Sequence, residues 1–266
     1  MPAPTHPVQP TAGSAPATRP PAHEASQPAS GHATLVLASA STARAATLAA
    51  AGIDPVIIVS DVDEDRVLTD LLDAHPTATP AEQVLALARA KARRVAHGGA
   101  GGGAGGRSRG HVIVLGCDSM LELDGEVLGK PSDARDAAAR IAQQSGRSAT
   151  LHTGHWLISQ HADDDGDGGR GPAKGETWRE VGATSSTVVR FGDLTRAEIE
   201  AYVATGEPLR VAGAFTIDGL GGPFIEGLDG DHHGVVGLSL PTLRRCLAEV
   251  GVTVMDLWRA GTIRRD

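Results

Sequence analysis

From Thr34 onward, short continuous apolar runs alternate with segments whose apolar residues recur every three to four positions. The first pattern predicts buried strands and the second amphipathic helices. "TLVLAS" (34–39) and "PVIIVS" (55–60) read as strands, and "RAATLAAAG" (44–52) between them as a helix stopped at Gly52. "PAEQVLALARAKARRVA" (80–96) is an amphipathic helix with a proline at its start. "HVIVLGCDSMLELDGEVLG" (111–129) reads as a strand and then a hairpin through Asp124-Gly125. "SDARDAAARIAQQSG" (132–146) predicts a helix with Ser132 at its N-cap, acids in its first turns and Gly146 at its end. "SATLHTGHWLIS" (148–159) and "TSSTVVRFG" (184–192) are strands, "TRAEIEAYVATG" (195–206) a helix with Thr195 and Glu198 at capping-box spacing, and "SLPTLRRCLAEVG" (239–251) the closing helix. The order predicts an α/β protein with mixed strand pairing and no internal repeat.

Three stretches break this pattern. Residues 1–32 are dense in Pro, Ala, Thr and Ser and too poor in large apolar residues to offset the entropy of ordering, so they read as a disordered arm before a domain spanning 33–260. Two Gly- and Asp-rich blocks, near 97–110 and 161–176, read as surface insertions in that domain.

With 266 residues, 41% of them apolar, the chain can bury a sizeable core. The net charge of −8 and the absence of a long basic tract exclude duplex nucleic acid as the main partner, while leaving room for a small anion held by a few cations. No apolar run is long enough to span a bilayer and the amino terminus lacks signal-peptide order, so a cytoplasmic protein without membrane contact is expected. Cys117 and Cys246 belong to no ligand pattern and read as reduced and structural. Lysine occurs only at Lys91, Lys130 and Lys174, in a chain whose other cations are arginines.

The chemistry-bearing motifs cluster at element ends. "SASTAR" feeds a strand into a helix and so offers free backbone N–H groups, the hydroxyls of Ser39 and Ser41, and the Arg44 fork, a set suited to phosphate. The same residues also describe an ordinary serine-capped helix with a solvated arginine. "SDVDED" (60–65) can hold a hard divalent cation or simply face solvent. "LGCDSM" presents Asp118 after an apolar strand, and "GEVLGKP" presents Lys130 beside Gly and Pro. "GGGAGG" (101–106) has dinucleotide-fingerprint spacing but precedes no helix, and "DDDGDGG" (163–169) has calcium-loop order but Lys174 where a bidentate Glu is required, so neither predicts its ligand. His232 and His233 have no third ligand at suitable spacing and read as a turn.

Taken in order, "LASASTAR", "SDVDED", "LARAKA", "GCDSMLELDGEVLGKP", "LHTGHWLI", "EIEAYVATGEPLRVAGAFTIDGLGGPFIEGLDGD" and "VVGLSLPTL" resemble the Maf family of nucleoside triphosphate pyrophosphatases, from about Thr34 to Leu257. The resemblance implies a Maf/ITPase-like α/β fold: a mixed central sheet in two lobes with a deep nucleotide-binding cleft. It also implies hydrolysis of nucleoside triphosphates to monophosphate and pyrophosphate, with a divalent cation, usually Mg2+, with Mn2+ as the alternative. Clearance of noncanonical nucleotides, a link to arrest of septum formation, and a homodimer are further expectations it carries.

Carried over by position, Asp118 matches the proton-accepting aspartate, and Glu64 matches a cleft acid implicated, with Asp118, in holding the metal. Lys91 and Lys130 match the two lysines that face the triphosphate. Ser39, Ser41, Arg44, Ser119 and Asp218 complete the implied substrate site. The chain departs from the family where "SPRR" becomes "STAR", placing Thr42 and Ala43 at the proline and first arginine, where Thr becomes Ser119, and where a pyrimidine-reading Gln becomes Asp218. These departures break the pyrimidine-selective pattern and raise the alternative of a catalytically weak nucleotide-binding regulator of septum formation.

Overall fold

Residues 33–98, 111–161, 177–259 and 262 are described by the computed structural model; the amino-terminal arm and nearly all of the two low-complexity blocks lie outside them. One mixed sheet organises the chain. β1 (Thr34–Leu37) pairs in parallel with β2 (Val56–Ile57) and with β3 (Val112–Leu123). Antiparallel pairing then runs from β3 to β5 (Ser148–His161), to β6 (Thr177–Phe191) and to β7 (Ile225–Asp229), while β4 (Glu126–Leu128) folds back on the end of β3 through the Asp124-Gly125 turn. Asp124 and Gly125 both have positive φ, which is why an Asp-Gly pair closes this hairpin.

Two lobes follow from the strand lengths. β1 pairs with β3 only as far as Leu115, and β4 joins it only from Leu121, so the stretch 116–120 lacks a neighbouring strand on that side. Below this gap, Leu37, Leu115 and Leu157 pack with Leu243 and Leu247 of α7 (Leu240–Glu249) and Leu48 of α1 (Thr42–Ala50). Above it, Leu121, Leu151, Val189 and Phe191 form a second core, beside which Ile141 of α4 (Ala134–Gln144) meets Ile199 and Tyr202 of α5 (Arg196–Ala204). β3, β5 and β6 are long enough to run through both.

Several elements differ from the sequence expectation. α2 (Glu64–Ala74) takes up the end of the acidic stretch: Asp63 caps it, Glu64 and Asp65 fill its first turn, and Val67 and Leu68 pack toward Val84 and Leu87. None of its residues is fully buried, and its acids mask the apolar spacing. The N-cap of α4 is Asp133, because its carboxylate accepts from the Asp136 amide while Ser132 bonds instead to the Asp136 side chain. β6 begins at Thr177 rather than Thr184, its partner β5 extending to His161. β7 was not expected, since its five residues hold a glycine and two acids, and His232 and His233 open a short helix, α6 (His232–Val236), rather than a turn. The strand predicted over 55–60 shortens to Val56 and Ile57, both exposed, as is Val59 just after it.

α3 (Pro80–His97) is the best-specified helix: Thr79 and Glu82 form a capping box and Pro80 occupies the first turn. Its backbone lies directly on the sheet at two glycines. A Cβ on Gly116 would stand 2.1 Å from the Ala88 carbonyl oxygen, and one on Gly154 would stand 2.4 Å from that of Val84. Gly116→Ala should therefore push α3 off the sheet and cost about 1–3 kcal/mol of stability, as overpacked cores do. Gly129→Ala, at a position with open space around it, should stay within about 0.5 kcal/mol of the parent. Urea unfolding of the two variants checks this.

Candidate active site

The close approach of α3 fixes the position of Lys91, one turn beyond Ala88. On β3, side chains alternate between faces, so Asp118 shares the α3 face with Gly116 and Met120. Lys91 and Asp118 are each only 8% exposed, and the Lys91 ammonium is bonded to Oδ1 of Asp118 and lies 2.8 Å from Oε1 of Glu64 on the first turn of α2. A buried ammonium is tolerable only when so paired. Oδ2 of Asp118 makes no hydrogen bond among the described residues.

Ser119, the next residue, points to the opposite face. There Arg44 of α1 donates from Nη2 to Ser119 Oγ (3.2 Å), from Nη1 to Ser39 Oγ (3.1 Å) and from Nε to the Gly237 carbonyl (2.7 Å). Gly237, with φ of 119°, makes the left-handed turn between α6 and α7 that presents this carbonyl. Three of the five guanidinium N–H groups are thus used and two remain for a ligand. The Ser41 hydroxyl caps α1, accepting from the Arg44 amide at 3.3 Å, and so marks a helix N-terminus beside this fork. Thr153 joins Ser119 (2.9 Å) to the Gly234 carbonyl (2.8 Å) and locks β5 into the same network. Both networks meet at 116–120, where β3 lacks a neighbour on one side: the carboxylate–lysine cluster on one face, the arginine–serine cluster on the other.

The structure therefore brings together Ser39, Ser41, Arg44, Glu64, Lys91, Asp118 and Ser119. It does not join Lys130 or Asp218 to them by any hydrogen bond or ion pair among the described residues. Lys130 is exposed on the turn after β4, and Asp218 is exposed on the loop that follows α5 and two short 3-10 turns. That loop is tied to the Lys130 turn, since the Gly213 amide donates to the Gly129 carbonyl at 3.1 Å. Sequence reading missed Gly237 and Thr153, whose roles come from contacts distant in the chain. It also missed α2 as the carrier of Glu64, for which Val67, Leu68, Leu71 and Leu72 after the acid cap were a usable signal.

Cys117 sits between these clusters but is no nucleophile. Burial pushes its thiol up to about 12, so it stays protonated and inert. His155 lies on the other side of Thr153; its Nε2 accepts from the Ser239 amide (2.8 Å) at the start of α7, and Nδ1 faces the Thr153 carbonyl (3.1 Å). Burial, with the nearby Arg44 charge, lowers its pKa to about 4, so it is neutral and clamps α7 to β5.

The donor set fits a hard divalent cation only in part. Glu64 and Asp118 converge on the Lys91 ammonium, which shows that their oxygens can share one cation. Among the described residues, however, no group of three or more His, Cys, Asp or Glu side chains could hold a metal unaided. That matches Mg2+ sites, which take one or two carboxylates and complete their coordination with substrate phosphates and water.

Residues 34–250 match the family model described as Maf-like protein. The chain is 50% identical over 224 residues to a nucleoside triphosphate pyrophosphatase of Streptomyces avermitilis, covering 84% of this chain and 94% of the relative. It is 49% identical over 226 residues to the protein of that name from Nocardia farcinica (85% and 97% covered) and 47% identical over 228 residues to that of Salinispora tropica (86% and 88%). The chain belongs to the Maf family. No described helix is long and apolar enough to cross a membrane.

The depressed His155 pKa makes stability depend on pH. Unfolded, this imidazole takes up a proton below its ordinary 6.5; folded, it does so only below about 4. Between those values the unfolded state binds more protons, so stability is lost as pH falls from 6.5 toward 4. From pH 7.5 to 4.5 the parent should lose about 2–3 kcal/mol more than His155→Gln, which can still accept from the Ser239 amide. Urea midpoints at the two pH values measure the difference.

Proposed function

We propose that this chain hydrolyses nucleoside triphosphates to the monophosphate and pyrophosphate, with Asp118 accepting the proton of the attacking water. The observation that carries this reading is the state of the Asp118 carboxylate: one oxygen is fixed by Lys91 and the other is free beside the sheet gap. The names of the relatives at about half identity agree with it. Attack of the water oxygen at the α-phosphorus breaks the bond to the bridging oxygen and releases pyrophosphate, while the water proton passes to Oδ2 of Asp118. Catalysis of this kind is mostly positioning and charge neutralisation.

The residues divide those tasks. Lys91 orients Asp118 and adds positive charge where the phosphates must lie. The two unused N–H groups of Arg44, the hydroxyl of Ser39 and the α1 N-terminus at Ser41 offer donors to phosphate oxygens, while Ser119, whose own O–H is spent on Thr153, holds the Arg44 fork in place. Lys130, exposed on the upper lip of the gap, supplies a further cation to the leaving group. Glu64 and Asp118 would hold Mg2+, which when bound neutralises phosphate charge. Asp218 reads the base: an ionised carboxylate accepts but does not donate, so it favours a donor-rich edge such as the N1–H and amino edge of guanine. Ala43, where the family carries the first arginine of its pair, favours a nucleotide-binding regulator with weak turnover as the alternative, which tight nucleotide binding without hydrolysis by the parent would select.

Asp118→Asn keeps the shape but removes the acceptor. Turnover should fall about 100- to 10,000-fold with nucleotide binding retained, read as pyrophosphate release beside the nucleotide-dependent rise in Tm. An Asn variant that keeps a third of the parental rate would remove Asp118 from this role. Excess chelator should likewise abolish turnover, and added Mg2+ restore it.

A further inference from the structure

An exposed loop residue such as Asp218 discriminates bases only if the loop that carries it is held still. Glu207, just beyond α5, has its carboxylate turned into the loop formed by residues 216–221. Its Oε1 accepts from the Tyr202 hydroxyl (3.0 Å), the Gly221 amide (3.1 Å) and the Thr216 hydroxyl, and its Oε2 accepts from the Leu220 amide (3.1 Å). The Tyr202 oxygen in turn accepts from the Thr216 amide at 3.2 Å. One carboxylate thus ties both ends of the loop to α5. Burial opposes its ionisation, but these hydrogen bonds outweigh that and hold Glu207 below the usual carboxylate range.

The loop has been shaped around this anchor. A Cβ on Gly219 would meet Thr216 Oγ1 at 2.6 Å and Glu207 Oε2 at 2.7 Å, and one on Gly221 would meet the Tyr202 hydroxyl at 2.5 Å and the Thr216 carbonyl oxygen at 2.6 Å, so a side chain at either position would disturb the groups that close the loop on the carboxylate. What remains outward is Asp218, exposed, and Leu220, 59% exposed. Among the described residues only Val59, at 62% and beside β2, is a more exposed large apolar side chain. A rigid loop showing an acceptor beside a small apolar surface has the chemistry to meet the edge and the face of a nucleobase.

We propose that Glu207 is the positioning residue for base selection, acting by fixing the loop that carries Asp218 at the lip of the gap. The proposal rests on Asp218 reading the base. Glu207 touches no substrate; its carboxylate sets the direction of the Asp218 side chain through the Leu220 and Gly221 amides and the Thr216 hydroxyl. Glu207→Gln is the informative variant, because the amide retains one oxygen for three of the donors and turns an N–H toward the Leu220 amide. Glu207→Ala removes every bond.

The experiment is a kinetic panel with dGTP, dATP, dCTP, dTTP and UTP on the parent, Glu207→Gln, Glu207→Ala, Asp218→Gln and the Glu207→Gln/Asp218→Gln double variant, with Tm recorded for each. Asp218→Gln should lower the dGTP-to-dTTP ratio of kcat/KM by about 10-fold or more. Glu207→Gln should lower the same ratio through KM more than through kcat, Glu207→Ala should do so further, and the double variant should show less than the sum of the single effects. A merely structural Glu207 would lower Tm and depress all nucleotides alike, leaving their ranking intact. That result, with the ranking shifted in Asp218→Gln, overturns the proposal while the reading of Asp218 stands. An unchanged ranking in Asp218→Gln overturns the reading of Asp218 itself, and the positioning role with it. Should Glu207→Ala not fold, the Gln variant decides alone.

Discussion

The site depends on a backbone contact. α3 can bring an ammonium to Asp118 only because Gly116 and Gly154 let its peptide groups sit on the sheet where any other residue would hold them off. A packed helix normally rides on a layer of side chains that holds its axis about 8–10 Å from its partner. Here that layer is missing at two adjacent strands, and the space saved is what lets Lys91 reach back to β3 rather than out to water. The charges would otherwise be costly to bury, and each makes the other tolerable. Removing Lys91 leaves the Asp118 carboxylate buried without its cation, and removing Asp118 leaves the ammonium with Glu64 alone, so the pair is a folding constraint on this region.

A second constraint is the missing strand beside 116–120. Within a complete sheet, Asp118 and Ser119 would be divided by the sheet itself, one facing α3 and one facing α1, and no ligand could touch both. Because β1 stops and β4 has not begun, a ligand at this edge can reach both faces of β3. Strand alternation then becomes an advantage. It delivers an acid with its lysine from one side and an arginine with its serines from the other, without the two sets neutralising each other. The Asp118 carboxylate and the Arg44–Ser39–Ser119 cluster are kept apart by the thickness of a strand.

Much of this was legible in the sequence, for reasons that differ by residue. Strands such as 112–123 and the helix over 80–97 are long, strongly periodic and well capped, so local pattern and final structure agree. α2 escaped notice because solvent-facing acids dilute its apolar stripe, and β7 because its strand character comes from pairing with β6 rather than from its own residues. Asp118, Lys91 and Glu64 could be picked out through their motifs, but that they meet depends on two glycines that local pattern treats as interruptions of a strand. The grip on Arg44 by the Gly237 carbonyl, 193 positions away, has no local signal at all.

The retained lysine has a physical explanation in this geometry. Arginine supplies nearly every cation in the chain, yet position 91 is lysine. A guanidinium is a broad planar fork that matches one carboxylate edge-on; an ammonium is a compact charge with three donors that can point to different acceptors. Between Asp118 and Glu64, which approach from a strand and a separate helix, and against a helix pressed to the sheet at Gly116, only the compact group has room to bond two carboxylates at once. An ammonium also has a donor left over after those two bonds. At position 44 the demand is reversed: three acceptors spread around one plane, Ser39, Ser119 and the Gly237 carbonyl, suit a fork and would leave an ammonium under-bonded. The two cations therefore differ because their acceptors are arranged differently, and that arrangement was set when the strands and helices around the gap took their places.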